Sequence, residues 1–380
     1  MREEPVTAVV TANDAFAADL YGVLTGDTRQ TVFSPVSVAA ALRMALCGAR
    51  GQTAAELGGA LHESPDAAAD GLRATSAAVH DVAADGSVTF RAPSIVWVQS
   101  GLPLRPEFTG QLGDAAAAAI ARVGFAEAPE AARAEINRVI AEQTAGKITG
   151  LLPAAAISDL TQLVLTSAIY LKAAWAERFA EAATRDAPFY PDGPDRPSLT
   201  VPMMHSTAAR AYRHGDRYQA VLLPYQGGQL AMAVVLPDGP LTTLRPAIAA
   251  DGLRGLLAGT SRYQVTLSLP RFRVEAAFDL IPVLRRLGVR EAFTREADFS
   301  GITEAERLLI NAVAHKAYVD VDEQGTEAAA ANAISFRPTA AFRAPPAVTM
   351  TVDRPFLFVI FHTPTGTPLF VGQVSQPGVR

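Results

Sequence analysis

The histidines and the single cysteine are the side chains in this sequence that could support acid–base, nucleophilic or metal chemistry. The six histidines show no spacing with acidic residues that would bring three or four metal ligands together; they are His62, His80, His205, His214, His315 and His362. His62-Glu63 lacks the second histidine of a zinc-protease helix. Cys47 lies in a segment with a helical pattern, which predicts a buried, unreactive thiol. With no nucleophile elbow, Walker loop or dinucleotide-binding glycine motif, the sequence predicts no enzyme, no cofactor and no metal site.

The composition excludes several further classes of protein. The 380 residues are 49% hydrophobic and 19% charged, so the chain can bury a large core and is not generically disordered. Its apolar runs are all shorter than the ~18 residues that span a bilayer. A net charge of −5 argues against binding to nucleic acid or to anionic membranes, and one cysteine excludes an internal disulfide framework. The start of the chain lacks a basic-then-apolar signal segment, so we expect a mature chain or one not exported by that route, and the compartment stays open.

The first third of the chain is typical of helices. Ser34 supplies an N-cap hydroxyl directly before Pro35 at the first helical position, and Gly48 marks the end of this helix. Thr53 and Glu56 have the spacing of a capping box, which predicts a second, shorter helix. Two further segments follow a helical period, 66–83 and 129–145, the latter closed by Gly146.

From about residue 160 the sequence is typical of β-strands. Gln226-Gly227-Gly228 predicts a hairpin turn between two of them, and a last hairpin is expected over 362–374. Helices first and strands later favour an α+β fold, and no linker separates the two or three domains that the length alone would allow. The predicted strands are 87–99, 163–171, 218–225, 229–237, 263–274, 308–321 and 348–361, with one more helix at 278–287.

Residues 321–347 do not match any packed element. From Thr326 to Arg337 there is no proline or glycine, and a period of two gives two faces. One face carries Thr326, Ala328, Ala330, Asn332, Ile334 and Phe336, and the other carries Glu327, Ala329, Ala331, Ala333, Ser335 and Arg337. This pattern fits a half-buried strand, but the alanines favour a helix equally well. The local sequence leaves both conformations open.

Ten short motifs, in the same order along the chain, resemble those of the serpin family. The resemblance extends over nearly the whole sequence. It identifies the chain as a member of the serpin family, of an inhibitory type from a prokaryote and, more narrowly, from a bacterium. The motifs are 33–37, 144–148, 168–172 followed by Trp175, 201–204, 236–237, 298–302, 315–317, 323–331, 353–356 and 369–372.

The resemblance implies a fold and a mechanism. Similar proteins form a single domain, here 1–380, with about nine helices and three β-sheets and an exposed reactive-centre loop, here about 324–347. A serine protease cleaves the loop and forms an acyl-enzyme, and the hinge side of the loop then inserts as a new strand of the main sheet and traps the protease. A non-inhibitory serpin that acts as a chaperone or carrier, or an unrelated binding scaffold, are the alternatives.

The resemblance also assigns the hinge of the loop. Small side chains in the hinge allow the sheet to open without overpacking, which favours an inhibitor over a passive family member. The hinge residues are Glu323, Gly325, Thr326, Glu327, Ala328, Ala329, Ala330 and Ala331.

The scissile bond follows by counting from Glu323 with the usual hinge length. The count places it at Thr339-Ala340, although the longer distal side allows positions as far as Ala344. A small residue at 339 suits an elastase-like or subtilisin-like protease. The neighbouring phenylalanines suit a chymotrypsin-like protease and the neighbouring arginines a trypsin-like one, but Pro338 disfavours cleavage after Arg337.

Four residues match the region where the main sheet opens in similar proteins: Ser34, Ser37, Ser167 and His315. Relatives usually carry asparagine in place of Ser167, and the shorter serine is not expected to reach His315 without a water or a rearrangement. Trp175 matches the upper end of the sheet, where the hinge enters. The helix over 66–83 holds one arginine and no lysine, so no heparin site is expected. We expect a monomer whose partners are serine proteases.

Overall fold

The structure is a computed structural model, and it describes residues 3–26, 30–84, 88–115, 120–327 and 346–378. Eight α-helices lie in these ranges: α1 Glu3–Leu24, α2 Pro35–Gly48, α3 Gly51–Ala60, α4 Ala68–Ala84, α5 Pro106–Ala115, α6 Pro129–Gln143, α7 Arg245–Gly255 and α8 Ile281–Arg286. None of the helices in the described ranges is long and apolar enough to cross a membrane.

Two helix ends follow the predicted local chemistry. The Ser34 hydroxyl accepts a hydrogen bond from the Ser37 amide at 3.2 Å, and Pro35 is the first residue of α2. After α6 the chain reverses through Gly146, whose φ is +75° and whose amide donates to the Ala141 carbonyl at 2.7 Å. Both predictions are confirmed.

Sixteen strands lie in the described ranges: β1 Thr31–Phe33, β2 Val88–Arg91, β3 Ser94–Gln99, β4 Ile120–Val123, β5 Leu163–Ala174, β6 Arg185–Phe189, β7 Leu199–Gly215, β8 Tyr218–Pro224, β9 Leu230–Pro237, β10 Ser261–Pro270, β11 Phe272–Asp279, β12 Ile310–Val321, β13 Gly325–Thr326, β14 Ala347–Thr351, β15 Phe356–His362 and β16 Thr367–Val374. The predicted hairpins are β8–β9 and β15–β16. The predicted strand 87–99 is two strands, and the predicted strand 263–274 is also two.

The strands form two hydrogen-bonded sheets in the described part of the chain. One has the order β1-β16-β15-β9-β8-β7-β10-β14, with β6 added on β7, and the other has the order β11-β12-β13-β5-β3-β4, with β2 added on β5. Three sheets were expected. Strand β7 pairs with β10 up to Tyr212 and with β8 from Tyr212 onward, so one long strand joins two of them into a continuous sheet. The α+β class is confirmed, with eight α-helices described where about nine were expected.

Strand β5 lies at the centre of the molecule and is buried on both faces. Leu165 belongs to a core cluster that includes the apolar side of α2, whereas its neighbour Val164 packs with residues of α6. Ile169 belongs to a third cluster, which fills the space between the two sheets. Burial on both faces explains why this segment is a continuous apolar run instead of an alternating one.

Candidate functional site

The candidate site is the junction between β5 and β12, which we call the central seam. These two strands pair in parallel from Leu163 opposite Ile310 to Tyr170 opposite Tyr318. Beyond Tyr170 and Tyr318 the two strands separate, and the two residues of β13 lie between them. The seam is therefore closed along most of its length and open at one end.

His315 bridges the middle of the closed seam. Its Nε2 accepts the Ser34 amide hydrogen at 2.9 Å, so Nδ1 carries the ring proton and faces the Ser167 side chain at 2.8 Å and the Ser167 carbonyl at 3.2 Å. The imidazole is fully buried, and this burial lowers its pKa to about 4. A neutral histidine therefore connects β12 to β5 and to the start of α2.

The expectation that Ser167 is too short to reach His315 is wrong. The two residues are direct partners in the parallel ladder, so the strand spacing already brings the hydroxyl within hydrogen-bond distance. The predicted residues of this region do come together. Ser37 donates from its hydroxyl to the Ser34 carbonyl, and its own carbonyl accepts from Ser94 on β3 at 3.0 Å.

The two residues of β13 occupy the open end of the seam. Gly325 and Thr326 pair antiparallel with Ala174 and Ala173 of β5, and Thr326 also pairs antiparallel with Val321 of β12. Thr326 has no exposed surface. Gly325 has a φ of +152°, and a Cβ at this position would lie 2.1 Å from the Ala173 carbonyl oxygen, so only glycine fits here.

Trp175 and Tyr225 form hydrogen bonds to the chain at the inserted end of the hinge. Their rings stack with centroids 4.5 Å apart, and the Trp175 indole donates to the Asp322 carbonyl at 2.9 Å. The Trp175 amide also donates to the Gln324 carbonyl at 2.9 Å. The Tyr225 hydroxyl lies 2.7 Å from the Thr326 hydroxyl, and complete burial raises the pKa of this tyrosine.

Glu323 fixes the segment just before β13. Arg271 donates to its carboxylate from Nε at 2.8 Å, and the Thr184 hydroxyl donates to the same oxygen. Burial alone would raise the pKa of Glu323, but the hydrogen bonds from Arg271 and Thr184 outweigh it and lower the pKa. The glutamate is therefore a charged anchor for the chain that enters the seam.

Glu327 is the last residue of the hinge that the structure describes, and its backbone is not extended. Its φ is +48°, which places a non-glycine residue in the left-handed region, and its amide donates to the Asp320 carbonyl at 3.0 Å. Its carboxylate accepts from the Lys147 ammonium at 2.9 Å. The remaining predicted hinge residues, Ala328 to Ala331, and the predicted scissile residues Thr339 and Ala340 lie outside the described residues.

The comparisons with known proteins cover nearly the whole chain. A family model described as serpin (serine protease inhibitor) matches residues 11–377. The chain belongs to the serpin family. An uncharacterised serpin-like protein of Thermococcus kodakarensis is 37% identical over 99% of this chain and 88% of its own length, and the leukocyte elastase inhibitor of Bos taurus is 36% identical over 96% and 98%.

Solved serpin structures share this architecture. A crystal structure of maspin matches with a TM-score of 0.88 at 26% identity, covering 99% of this chain and 100% of its own. Human thyroxine-binding globulin matches with a TM-score of 0.85 at 27% identity, and the match covers 98% of this chain and 99% of the globulin chain. The Thermococcus relative is archaeal, so the prokaryotic resemblance is supported but the narrower bacterial one is not. Protease inhibition is the general function that the family description and the elastase-inhibitor relatives support.

Sequence reasoning missed several residues of this serpin's seam. Tyr225 is the last residue of a predicted strand and belongs to no motif, and Arg271 and Asp322 gave no signal of their own. Lys147 had a weak signal, because the three lysines, Lys147, Lys172 and Lys316, all fall inside family motifs in a sequence that otherwise uses arginine. No group of three or more metal-ligating side chains is found in the part of the chain that the structure describes.

Proposed function

We propose that this protein is a suicide-substrate inhibitor of serine proteases. The protease cleaves the loop at Thr339-Ala340, and the resulting acyl-enzyme is trapped when the hinge inserts into the central seam as a new strand. Elastase-like, subtilisin-like and chymotrypsin-like proteases are the proposed targets. The relatives named as leukocyte elastase inhibitors support the first of these classes.

The position of β13 is the observation that carries this proposal. Thr326 already pairs with both β5 and β12, in antiparallel orientation to each. Because β5 and β12 are parallel to each other, a strand that continues from Thr326 toward His315 can pair antiparallel with both along the whole seam. The hinge is therefore aligned with the place it would fill.

The energetics favour insertion once the loop is cut. A strand of about ten residues would gain on the order of 1 kcal/mol for each net hydrogen bond, in addition to the burial of one face. This sum rivals the whole stability of an ordinary domain. This free energy is not released in the uncut protein, because insertion first requires breaking the β5–β12 ladder and the His315 hydrogen bonds.

The hinge composition fits this route. A strand continuing in the register of Thr326 would direct Ala328 and Ala330 to the same face as the threonine, toward the interior between the sheets. Small side chains enter such a space without overpacking it. The same strand would leave the alanines at 329 and 331 facing α6.

A carrier function remains the second candidate, because thyroxine-binding globulin, whose structure is a complex with thyroxine, has the same fold. A carrier of this kind does not require strand insertion. A panel of serine proteases scored for complexes that survive SDS separates the two candidates. The inhibitor proposal expects such a complex with at least one elastase-, subtilisin- or chymotrypsin-like enzyme.

The same panel locates the scissile bond. The mass of the peptide released from the carboxyl side should correspond to cleavage after Thr339, and cleavage outside 336–344 would show that the count from Glu323 is wrong. If every protease of the panel cuts the loop and none is retained, the inhibitor proposal fails. Heparin should not accelerate the reaction more than a few-fold, since α4 offers only Arg73.

A further inference from the structure

An ion pair joins Lys147 to Glu327, the last residue of the hinge that the structure describes. The Glu327 side chain is only 9% exposed, and its carboxylate is 2.9 Å from the Lys147 ammonium. Burial first, and then the nearby Glu327 carboxylate, raise the pKa of Tyr170, which lies on the last residue pair of the closed seam. The Glu327 amide donates to the carbonyl of Asp320, two residues beyond Tyr318, so Glu327 lies at the end of the closed ladder.

Lys147 stands on a well-fixed turn between α6 and β5. The Lys147 amide donates to the Thr144 carbonyl at 3.0 Å, and the Thr144 hydroxyl donates back to the Ile140 carbonyl at 2.7 Å. The next residue, Ile148, is completely buried. The Lys147 side chain therefore extends from a hydrogen-bonded turn that belongs to neither strand of the seam.

Further insertion requires Glu327 to change its backbone conformation. An inserted strand needs an extended residue, whereas Glu327 now has a φ of +48°. Thr326 is the register partner of Ala173 and Val321, so an extended Glu327 would lie between Lys172 of β5 and Asp320 of β12. Lys172 is partly buried and would offer the carboxylate a second ammonium.

We propose that Glu327 exchanges one lysine for another during inhibition. Lys147 holds the carboxylate in the uncut protein and so stops the hinge after Thr326, and Lys172 receives the carboxylate when the strand extends. Lys147 is then a positioning residue for the inhibitory reaction. This inference rests on the proposed function, because it concerns the same insertion step.

Two double-mutant cycles test the exchange. Lys147→Gln, Lys172→Gln and Glu327→Gln are made singly and in pairs, and unfolding rates in guanidinium chloride are measured for the uncut protein and for protein cut in the loop. In the uncut protein, the pair 147–327 should deviate from additivity by about three- to ten-fold, the range for a partly buried ion pair, and 172–327 should be additive. In the cut protein the pair 172–327 should deviate from additivity by a similar factor, and the pair 147–327 should be additive.

Two matched variants serve as controls. Arg138→Gln removes a positive charge from the exposed face of α6, where Arg138 pairs with Glu135 and Glu142, and it should be additive with Glu327→Gln in both forms. Lys147→Arg keeps the charge and should keep most of the coupling to Glu327. If Lys147 holds the hinge back, the uncut Lys147→Gln protein should also lose inhibitory activity on mild heating about three- to ten-fold faster than wild type, because its hinge enters the seam without cleavage.

Additivity of 147–327 in the uncut protein would overturn the exchange, and so would a 147–327 coupling that stays unchanged after cleavage. Either result leaves the proposed function standing if the wild-type protein forms an SDS-stable complex with a protease. Absence of such a complex, together with no gain in stability after cleavage, would count against the proposed function itself.

Discussion

His315 is an uncharged hydrogen-bond bridge that joins both strands of the central seam to α2. Protonation would place a charge in a fully buried position and would remove the lone pair that accepts the Ser34 amide. Burial lowers the pKa of His315, and among the described residues it is opposed by the hydrogen bond with the Ser167 carbonyl and by no charged group. The seam should therefore weaken in acid.

We expect the stability of the uncut protein to fall between about pH 6.5 and pH 4. The pKa of His315 is lowered from 6.5 to about 4 in the folded state, so the unfolded chain binds more protons in this window and stability is lost as the pH falls through it. The full effect is on the order of 3 kcal/mol. Unfolding in urea at several pH values measures it.

His315→Gln is the control for this pH dependence. The neutral amide can still accept the Ser34 amide hydrogen, but it cannot be protonated in this range. The pKa of His362 is also lowered by burial. Because His362 is present in both proteins, its contribution to the pH dependence cancels in the comparison. Equal pH slopes for wild type and variant would contradict the role assigned to His315.

At the scale of elements, the sequence correctly predicted the helix ends that depend on residues close together in the chain. The start of α2 at Ser34 and the reversal at Gly146 depend on neighbouring residues, and both are as predicted. The capping box at Thr53 is not formed. Its hydroxyl instead accepts the Asp298 amide at 3.0 Å, and Glu56 accepts the Arg290 and Glu291 amides.

Tertiary contacts also shorten one predicted helix. The predicted helix 278–287 begins only at Ile281, because Phe278 and Asp279 still pair with β12. Strands β6 and β7 were not predicted, since β7 mixes small, polar and apolar residues. Cys47 is buried as expected, and burial raises the pKa of its thiol to about 11. The contacts of Thr326 with Tyr225 are beyond local prediction, because they join residues about a hundred positions apart.

The hinge should lose its function when it can no longer become a strand. Thr326→Arg would put a charged side chain into a position with no exposed surface, and Ala330→Pro would remove an amide from the new strand and distort it. Each variant should be cleaved by the target protease as a substrate, with complex formation reduced by about ten-fold or more. SDS gels of timed reactions measure the ratio of complex to cleaved product.

Thr326→Ser is the matched control for the first variant. It keeps a hydroxyl for Tyr225 at the same place and should retain most of the complex. A normal yield of complex from either the arginine or the proline variant would show that the hinge does not enter the seam.

At the scale of the whole molecule, β5 contributes residues to all three core clusters. A strand shared in this way favours our proposal that the chain is a single domain, so the uncut protein should unfold in one cooperative transition. The position of β5 also links the opening of the seam to the packing of all three core clusters. Separating β5 from β12 requires the clusters on both sides to adjust together.

The unfolding temperature before and after cleavage of the loop tests the central claim most directly. A new strand worth roughly 10 kcal/mol should raise it by about 10 °C or more while both fragments stay associated. Ala330→Pro, cut at the same bond, should show little of this increase. An unchanged or lower unfolding temperature of the cut wild-type protein would contradict insertion of the hinge into the central seam.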